Sequence, residues 1–162
     1  MTPDLEARIR HLGEMLTARG LVCGTAESCT GGMIACTLTS VAGASQWFAG
    51  SVVSDSNAVK ERTLGVRQET LRTYGAVSEA VVREMATGAC ASLHVDAAVS
   101  VSGVAGPGGG TVEKPVGLVW MGFCVVGATD ALAFHFNGDR DSIRRQATHA
   151  AIEGLVQRLA LY

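Results

Sequence analysis

Charge is scarce in this chain: Asp, Glu, Lys and Arg make up 17% of its 162 residues and leave a formal net charge of −2. Binding to nucleic acid needs a basic footprint, and the composition supplies none. Long apolar runs are also missing: no segment is long enough to span a bilayer and no signal peptide is evident, so no membrane partner is expected. The five cysteines form no CxxC pair and are odd in number, which argues for the reduced thiols of a cytoplasmic protein rather than a disulfide frame. His11, His94, His135 and His149 are scattered without metal-ligand spacing, so neither a metal nor another cofactor is expected. Proline is rare as well, three against twenty glycines, a balance that favours tight turns and close backbone contacts. What remains is a chain that is 48% hydrophobic, enough for a core and incompatible with disorder. Its length suits one domain over residues 1–162.

Thr2-Pro3-Asp4 reads as a helix start, with Leu5, Ile9, Leu12 and Leu16 on one apolar face and Arg19-Gly20 as the stop. A strand over Leu21 to Ala26 follows, then a turn and a helix to about Val41. Trp47 to Ser54 reads as a second strand, and the cap cluster Asp55-Ser56-Asn57 starts a short helix carrying Lys60. A weaker helical piece covers Gln68 to Thr73, and Ser78-Glu79 opens a helix whose face is Val82, Met85, Ala86, Ala89 and Leu93. Val95 to Val101 is a strand leading into a glycine-rich loop that no helix follows directly, so it is no dinucleotide fingerprint. Val116 to Val126 and Ala131 to Phe136, with a turn over Gly127 to Asp130, should pair as an antiparallel hairpin. Asn137-Gly138-Asp139 caps a last helix. This order predicts an α/β protein: a three-layer α/β/α sandwich around a mixed, mostly parallel sheet of about five strands.

Three loops at strand ends concentrate the chemistry: Ser28 to Gly32, Ser54 to Lys60 and Ser102 to Gly110. Parallel strands would bring them to one edge of the sheet, where α/β proteins bind ligands. Ser28, Cys29 and Thr30 lie beside the free N–H groups of a helix start, suited to an anion or a developing oxyanion, and Gly31 and Gly32 let a ligand approach the backbone. Ser28 or Thr30 could equally serve as a simple N-cap. A serine nucleophile needs a base, and with no histidine suitably placed Lys60 is the best partner, unless it is a solvated helix residue. Cys29 is a rival nucleophile. Arg140, Arg144 and Arg145 crowd a helix start, where cations oppose the dipole unless an anion binds nearby; Arg144 and Arg145 could also simply face solvent. The Gly103–Gly110 loop could be a phosphate nest or only a turn.

These stretches together resemble the CinA C-terminal domain family, which also occurs alone as nicotinamide-nucleotide amidase. The matching segments are AESCTGG at 26–32, SNAVK at 56–60, GAVSE at 75–79, SVSGVAGPGGG at 100–110, EKPVG at 113–117 and NGDRDSIRRQAT at 137–148. The resemblance implies hydrolysis of the carboxamide of nicotinamide mononucleotide to nicotinate mononucleotide and ammonia, in pyridine-nucleotide salvage, by a metal-independent serine–lysine pair. By motif match these are Ser28 and Lys60, with Thr30, Gly31 and Gly32 near the oxyanion or ligand. The phosphate would use the loop of Ser102, Gly103 and Gly106, or Arg140, or both. The implied partner is this small-molecule nucleotide, and members of the family often self-associate, so a homo-oligomer is expected. One position departs: the family usually has tyrosine before its SN dipeptide, and here it is Asp55. A carboxylate beside Lys60 would favour the ammonium, making Asp55 a brake on catalysis; alternatively it caps the following helix and points away. The alternative functions are a pyridine-nucleotide-binding member with weak or no amidase activity, and an interaction module.

Overall fold

Thr2 starts the chain's first helix as its sequence implies: the side-chain oxygen accepts a hydrogen bond from the Leu5 N–H at 3.2 Å, and Pro3 fills the first turn, where no N–H is needed. The computed structural model describes residues 1–162. Its elements are α1 (Pro3–Ala18), β1 (Cys23–Glu27), α2 (Met33–Leu38), β2 (Phe48–Val53), α3 (Asn57–Leu64), α4 (Gln68–Tyr74), α5 (Glu79–Leu93), β3 (Ala97–Gly103), β4 (Leu118–Val125), β5 (Ala128–His135) and α6 (Arg140–Leu161). No helix is long and apolar enough to cross a membrane.

The strands lie in the order β2-β1-β3-β4-β5. β1 runs parallel to both β2 and β3, whereas β3–β4 and β4–β5 are antiparallel, so only β4 opposes the common direction. This is the expected three-layer α/β/α sandwich with a mixed sheet of mostly co-directional strands. α1, α2 and α6 cover one face, packing on Cys23, Val99, Val101, Val119, Met121 and Phe123. α5, with α3 and α4 beside it, covers the other over Ala26 and Ala98. β1 is buried along its whole length, as a central strand with helices on both sides must be. Apart from Glu27 at its end it carries only small side chains, and these let both helical layers approach closely.

Several strand ends lie one or two residues from the sequence reading, β1 running Cys23–Glu27 rather than Leu21–Ala26 and β3 Ala97–Gly103 rather than Val95–Val101, and two boundaries differ for identifiable local reasons. α2 stops at Leu38 instead of continuing to Val41, because Thr37, Thr39 and Ser40 turn their hydroxyls back onto the carbonyls of Met33, Ala35 and Thr37. The last hairpin turns on Val126 and Gly127, with φ of 48° and 83°, so β5 already begins at Ala128 and not after Asp130. Positive φ at both central residues is what a tight two-residue hairpin demands.

The fold places Lys60 through the contact of α3 with α5. Gly88 sits on α5 against the end of α3, and a Cβ there would lie 1.8 Å from the Leu64 carbonyl oxygen. Gly88→Ala should therefore force the helices apart and destabilise the protein by about 1–3 kcal/mol, the usual cost of overpacking. Calorimetry should show a melting temperature several degrees lower; an unchanged value would mean that the α3–α5 contact is softer than described.

Candidate active site

The three parallel strands end at one edge of the sheet, and there the chain brings Ser28 and Lys60 together. Ser28 follows β1 and its N–H donates to the Val101 carbonyl at 2.9 Å, which extends the β1–β3 ladder by one residue. Ser54 extends β2 in the same way, its N–H donating to the Glu27 carbonyl at 2.7 Å. The chain then turns into α3, whose N-cap is Ser56, with its hydroxyl oxygen accepting from the Val59 N–H. Lys60 thus projects from the first turns of α3 back over the strand ends. It is only 1% exposed, so the solvated alternative does not hold. Its Nζ donates to Ser28 Oγ at 3.1 Å, to the Ser54 carbonyl at 2.7 Å and, more weakly, to the Asp55 carbonyl at 3.4 Å.

None of those three acceptors carries a formal charge. Burial accordingly pushes the Lys60 amine below its ordinary value, while the Asp55 carboxylate and, to a smaller extent, Cys29 pull it back up. The Asp55 side chain is exposed and forms no ion pair with Lys60; its contact with Nζ is through the backbone carbonyl. Neither expected position for Asp55 is therefore met in full. It does not pair with the lysine, and Ser56 takes the cap, but its charge still acts across space.

Cys29 is a weak rival to Ser28. Burial pushes its thiol up to about 11, with Arg144 and Arg140 opposing that shift incompletely. At neutral pH it is a thiol, and a thiolate is what attacks.

The start of α2 is not the open anion site that the sequence suggests. Glu27, the last residue of β1, is fully buried and turns its carboxylate onto that helix end. Oε1 accepts from the N–H groups of Gly32 and Ile34 and from the Thr30 hydroxyl, and Oε2 from the Ala35 N–H. The Gly31 N–H is bonded to the Ser28 carbonyl. Hence the N–H groups of Gly31 and Gly32 are occupied, and those of Cys29 and Thr30 are the ones without a partner in the chain. Thr30 is no N-cap: the cap position is Gly32, at φ of 101°. Arg144 fixes this loop from the other side, donating from Nε to the Cys29 carbonyl at 3.0 Å and from Nη2 to the Thr30 carbonyl at 3.2 Å. Because a trans peptide points C=O and N–H in opposite directions, turning the Cys29 carbonyl toward α6 turns the Thr30 N–H away from it. Arg145, by contrast, is exposed and pairs with Asp141.

Ser102 and Gly103 end β3, and Ser102 lies on the strand position next to Ser28, almost fully buried. The N–H groups of Ala105, Gly106, Gly108, Gly109 and Gly110 have no partner within the chain. Arg140 donates from Nη1 to the Gly106 carbonyl at 2.8 Å, which docks the glycine loop on the start of α6. Between them opens a cavity of about 400 Å³ lined by Ala105, Pro107, Val116 and residues 138–141. A larger cavity of about 480 Å³, beside Arg10, Glu14 and Trp47, lies at the opposite ends of the strands and contains none of these residues. One residue of the site, Glu27, escaped the sequence reading, although it was legible as a carboxylate directly after a strand of small residues and three before a threonine; Arg144 was among the arginines singled out, but nothing local distinguishes it from Arg145.

Comparison with known proteins finds the sequence model of the CinA C-terminal domain matching residues 5–159. Nicotinamide-nucleotide amidohydrolase PncC of Escherichia coli K12 is 51% identical over 149 residues, 91% of this chain and 90% of that protein. A putative competence-damage inducible protein of Clostridium perfringens is 43% identical over 91% of this chain but only 36% of its own length. Among solved structures, a CinA superfamily protein of Klebsiella pneumoniae superposes with a TM-score of 0.93 at 37% identity, covering 98% of this chain and 99% of the other. The competence/damage inducible protein CihA of Agrobacterium tumefaciens superposes equally well, with 40% identity and coverage of 97% and 96%.

The thiol chemistry gives a direct check on the site's electrostatics. Iodoacetamide at neutral pH should modify the exposed Cys36 first and leave Cys29 largely unreacted until the pH approaches 11. Peptide mapping by mass spectrometry reads the order, and Cys29 reacting ahead of Cys36 would contradict the environment described.

Proposed function

Because this chain belongs to the CinA C-terminal domain family, we propose that it hydrolyses the carboxamide of nicotinamide mononucleotide to nicotinate mononucleotide and ammonia. The observation that carries the reading is the buried Lys60 Nζ at 3.1 Å from Ser28 Oγ, without a carboxylate to hold its proton. The similarity to a relative named nicotinamide-nucleotide amidohydrolase supplies the substrate.

A neutral amine has two N–H donors and one lone pair. With the Ser54 and Asp55 carbonyls taking the two donors, the lone pair faces the Ser28 hydroxyl. Ser28 Oγ attacks the carboxamide carbon and its proton passes to Lys60. The tetrahedral oxyanion takes the free N–H groups of Cys29 and Thr30. Collapse breaks the C–N bond, with Lys60 returning the proton to the leaving nitrogen as ammonia. Water then enters, gives a proton to Lys60 and attacks the acyl-serine carbon; the bond to Ser28 Oγ breaks, Lys60 returns the proton to that oxygen, and nicotinate mononucleotide leaves. The phosphate fits the free N–H groups of the glycine loop together with Arg140, whose remaining N–H groups are unengaged.

Asp55 favours a slower version of the same chemistry, because its charge stabilises the ammonium that must lose its proton first.

Four substitutions test this reading. Ser28→Ala should abolish ammonia release from nicotinamide mononucleotide while Cys29→Ala keeps most of it; the reverse would move the nucleophile to the thiol. Arg140→Ala should raise KM for the mononucleotide far more than for nicotinamide riboside, and equal losses would remove Arg140 from the phosphate site. Asp55→Asn deletes the charge that raises the Lys60 pKa, so the neutral amine is reached at lower pH. The rising limb of the kcat profile should move to lower pH and the rate at pH 7 increase; a limb that stays in place or moves upward would show that Asp55 does not act on the base.

A further inference from the structure

The most heavily bonded side chain near the site is one that the reaction does not touch. Glu27 is fully buried, and all of its partners donate to it. Oε1 takes the Thr30 hydroxyl at 2.7 Å, the Gly32 N–H at 3.1 Å and the Ile34 N–H at 2.9 Å. Oε2 takes the Ala35 N–H at 2.9 Å and lies 3.1 Å from the Thr25 and 3.2 Å from the Ser51 hydroxyl, which bond each other at 2.6 Å so that one donates to its neighbour and the other to Oε2. One carboxylate thus ties β1 and β2 to the start of α2. A helix of six residues cannot hold itself in water, and this one carries no side-chain cap, so the carboxylate supplies its N-terminus. Its position is also selective: it occupies the N–H groups of residues 32, 34 and 35 and leaves those of residues 29 and 30 free.

We propose that Glu27 is a positioning residue for the nucleophile loop: by occupying the start of α2 it fixes Ser28 and directs the Cys29 and Thr30 N–H groups at the forming oxyanion. This rests on the serine–lysine reading of the site. The effect belongs to the transition state, because the oxyanion exists only there, so losing Glu27 lowers kcat and spares KM.

Glu27→Gln is the variant of choice. An amide nitrogen at the Oε2 position can donate to the Thr25 and Ser51 hydroxyls, which rotate to accept, and only the Ala35 N–H then meets a donor. Ile34→Val, a trimmed core residue on the same helix, is the control for simple loss of stability. Two rates are measured for each: ammonia release from nicotinamide mononucleotide, and labelling of Ser28 by an alkyl fluorophosphonate followed by intact mass. In the labelling step Ser28 Oγ bonds to phosphorus, fluoride leaves and Lys60 takes the serine proton, so it reads the nucleophile and oxyanion donors without the natural substrate. Glu27→Gln should lower kcat and the labelling rate by about 10- to 100-fold with KM within about twofold, while Ile34→Val changes neither rate more than about twofold at a comparable loss of melting temperature. Glu27→Gln rates near wild type, or an equal loss in Ile34→Val, would overturn the proposal. Should Glu27→Gln not fold, the Thr25→Val/Ser51→Ala double variant, which leaves Oε2 the Ala35 N–H alone, takes its place beside Ile34→Val. It should show the same fall in both rates, and rates near wild type would overturn the proposal equally. A wild type that is labelled but releases no ammonia would remove the substrate assignment, and the labelling rates alone would then decide Glu27. A Ser28 that neither turns over nor labels would sink both.

Discussion

A lysine nitrogen shut away from water, with a serine hydroxyl and two carbonyls as its only hydrogen-bond partners, is the constraint that the rest of this structure serves. Desolvating an ammonium is costly, and the chain offers Lys60 neutral dipoles instead of a counter-charge. The acceptors come from two neighbouring strand ends: Ser28 follows β1, and the Ser54 and Asp55 carbonyls follow β2 at the entry to α3. The parallel pairing of β1 with β2 sets these ends side by side, and the contact of Gly88 with Leu64 sets the height of α3 above them. Move any of these and the lysine gains water, and with water its ordinary basicity.

The nucleophile loop is held with few partners. Glu27 grips it from beneath, through the Thr30 hydroxyl and the Gly32 N–H, and Arg144 from the α6 side, through the Cys29 and Thr30 carbonyls. Between them the loop has two N–H groups left, at Cys29 and Thr30. In the proposed mechanism these two take the oxyanion, and the other backbone N–H groups of the loop are already committed. The arginine that faces the glycine loop, Arg140, acts at the outer edge of this arrangement, where the cavity opens.

Most of the fold was legible from residue patterns. The caps at Thr2 and Ser78, the four-three-four spacing of Leu5, Ile9, Leu12 and Leu16, and the apolar strands gave every helix and strand in order. The failures were local competitions: hydroxyls bending back at the end of α2, and a valine accepting positive φ in the last hairpin. At the site, Lys60 stood out as the best available base for Ser28, and the family match in segment order made the pairing specific, since the two stand 32 residues apart and no spacing rule links them. The helix start looked open to an anion because a strand residue's side chain cannot be seen turning onto it. That Glu27 fills the place was hidden for the same reason that Arg144 looked like Arg145: both depend on how two distant elements pack.

The central claim is that Lys60 is neutral enough at working pH to take the Ser28 proton. Lysine occurs only twice in the chain, at 60 and 114, so protein grown with lysine carbon-13 labelled at Cε gives two resonances, and Lys114→Arg identifies which is which. Following the Lys60 resonance against pH by NMR measures its pKa without any substrate. The account predicts a midpoint below the ordinary lysine value of about 10.4. A midpoint at or above that value would mean that the amine keeps its proton in the folded protein, and the Ser28–Lys60 mechanism would be contradicted.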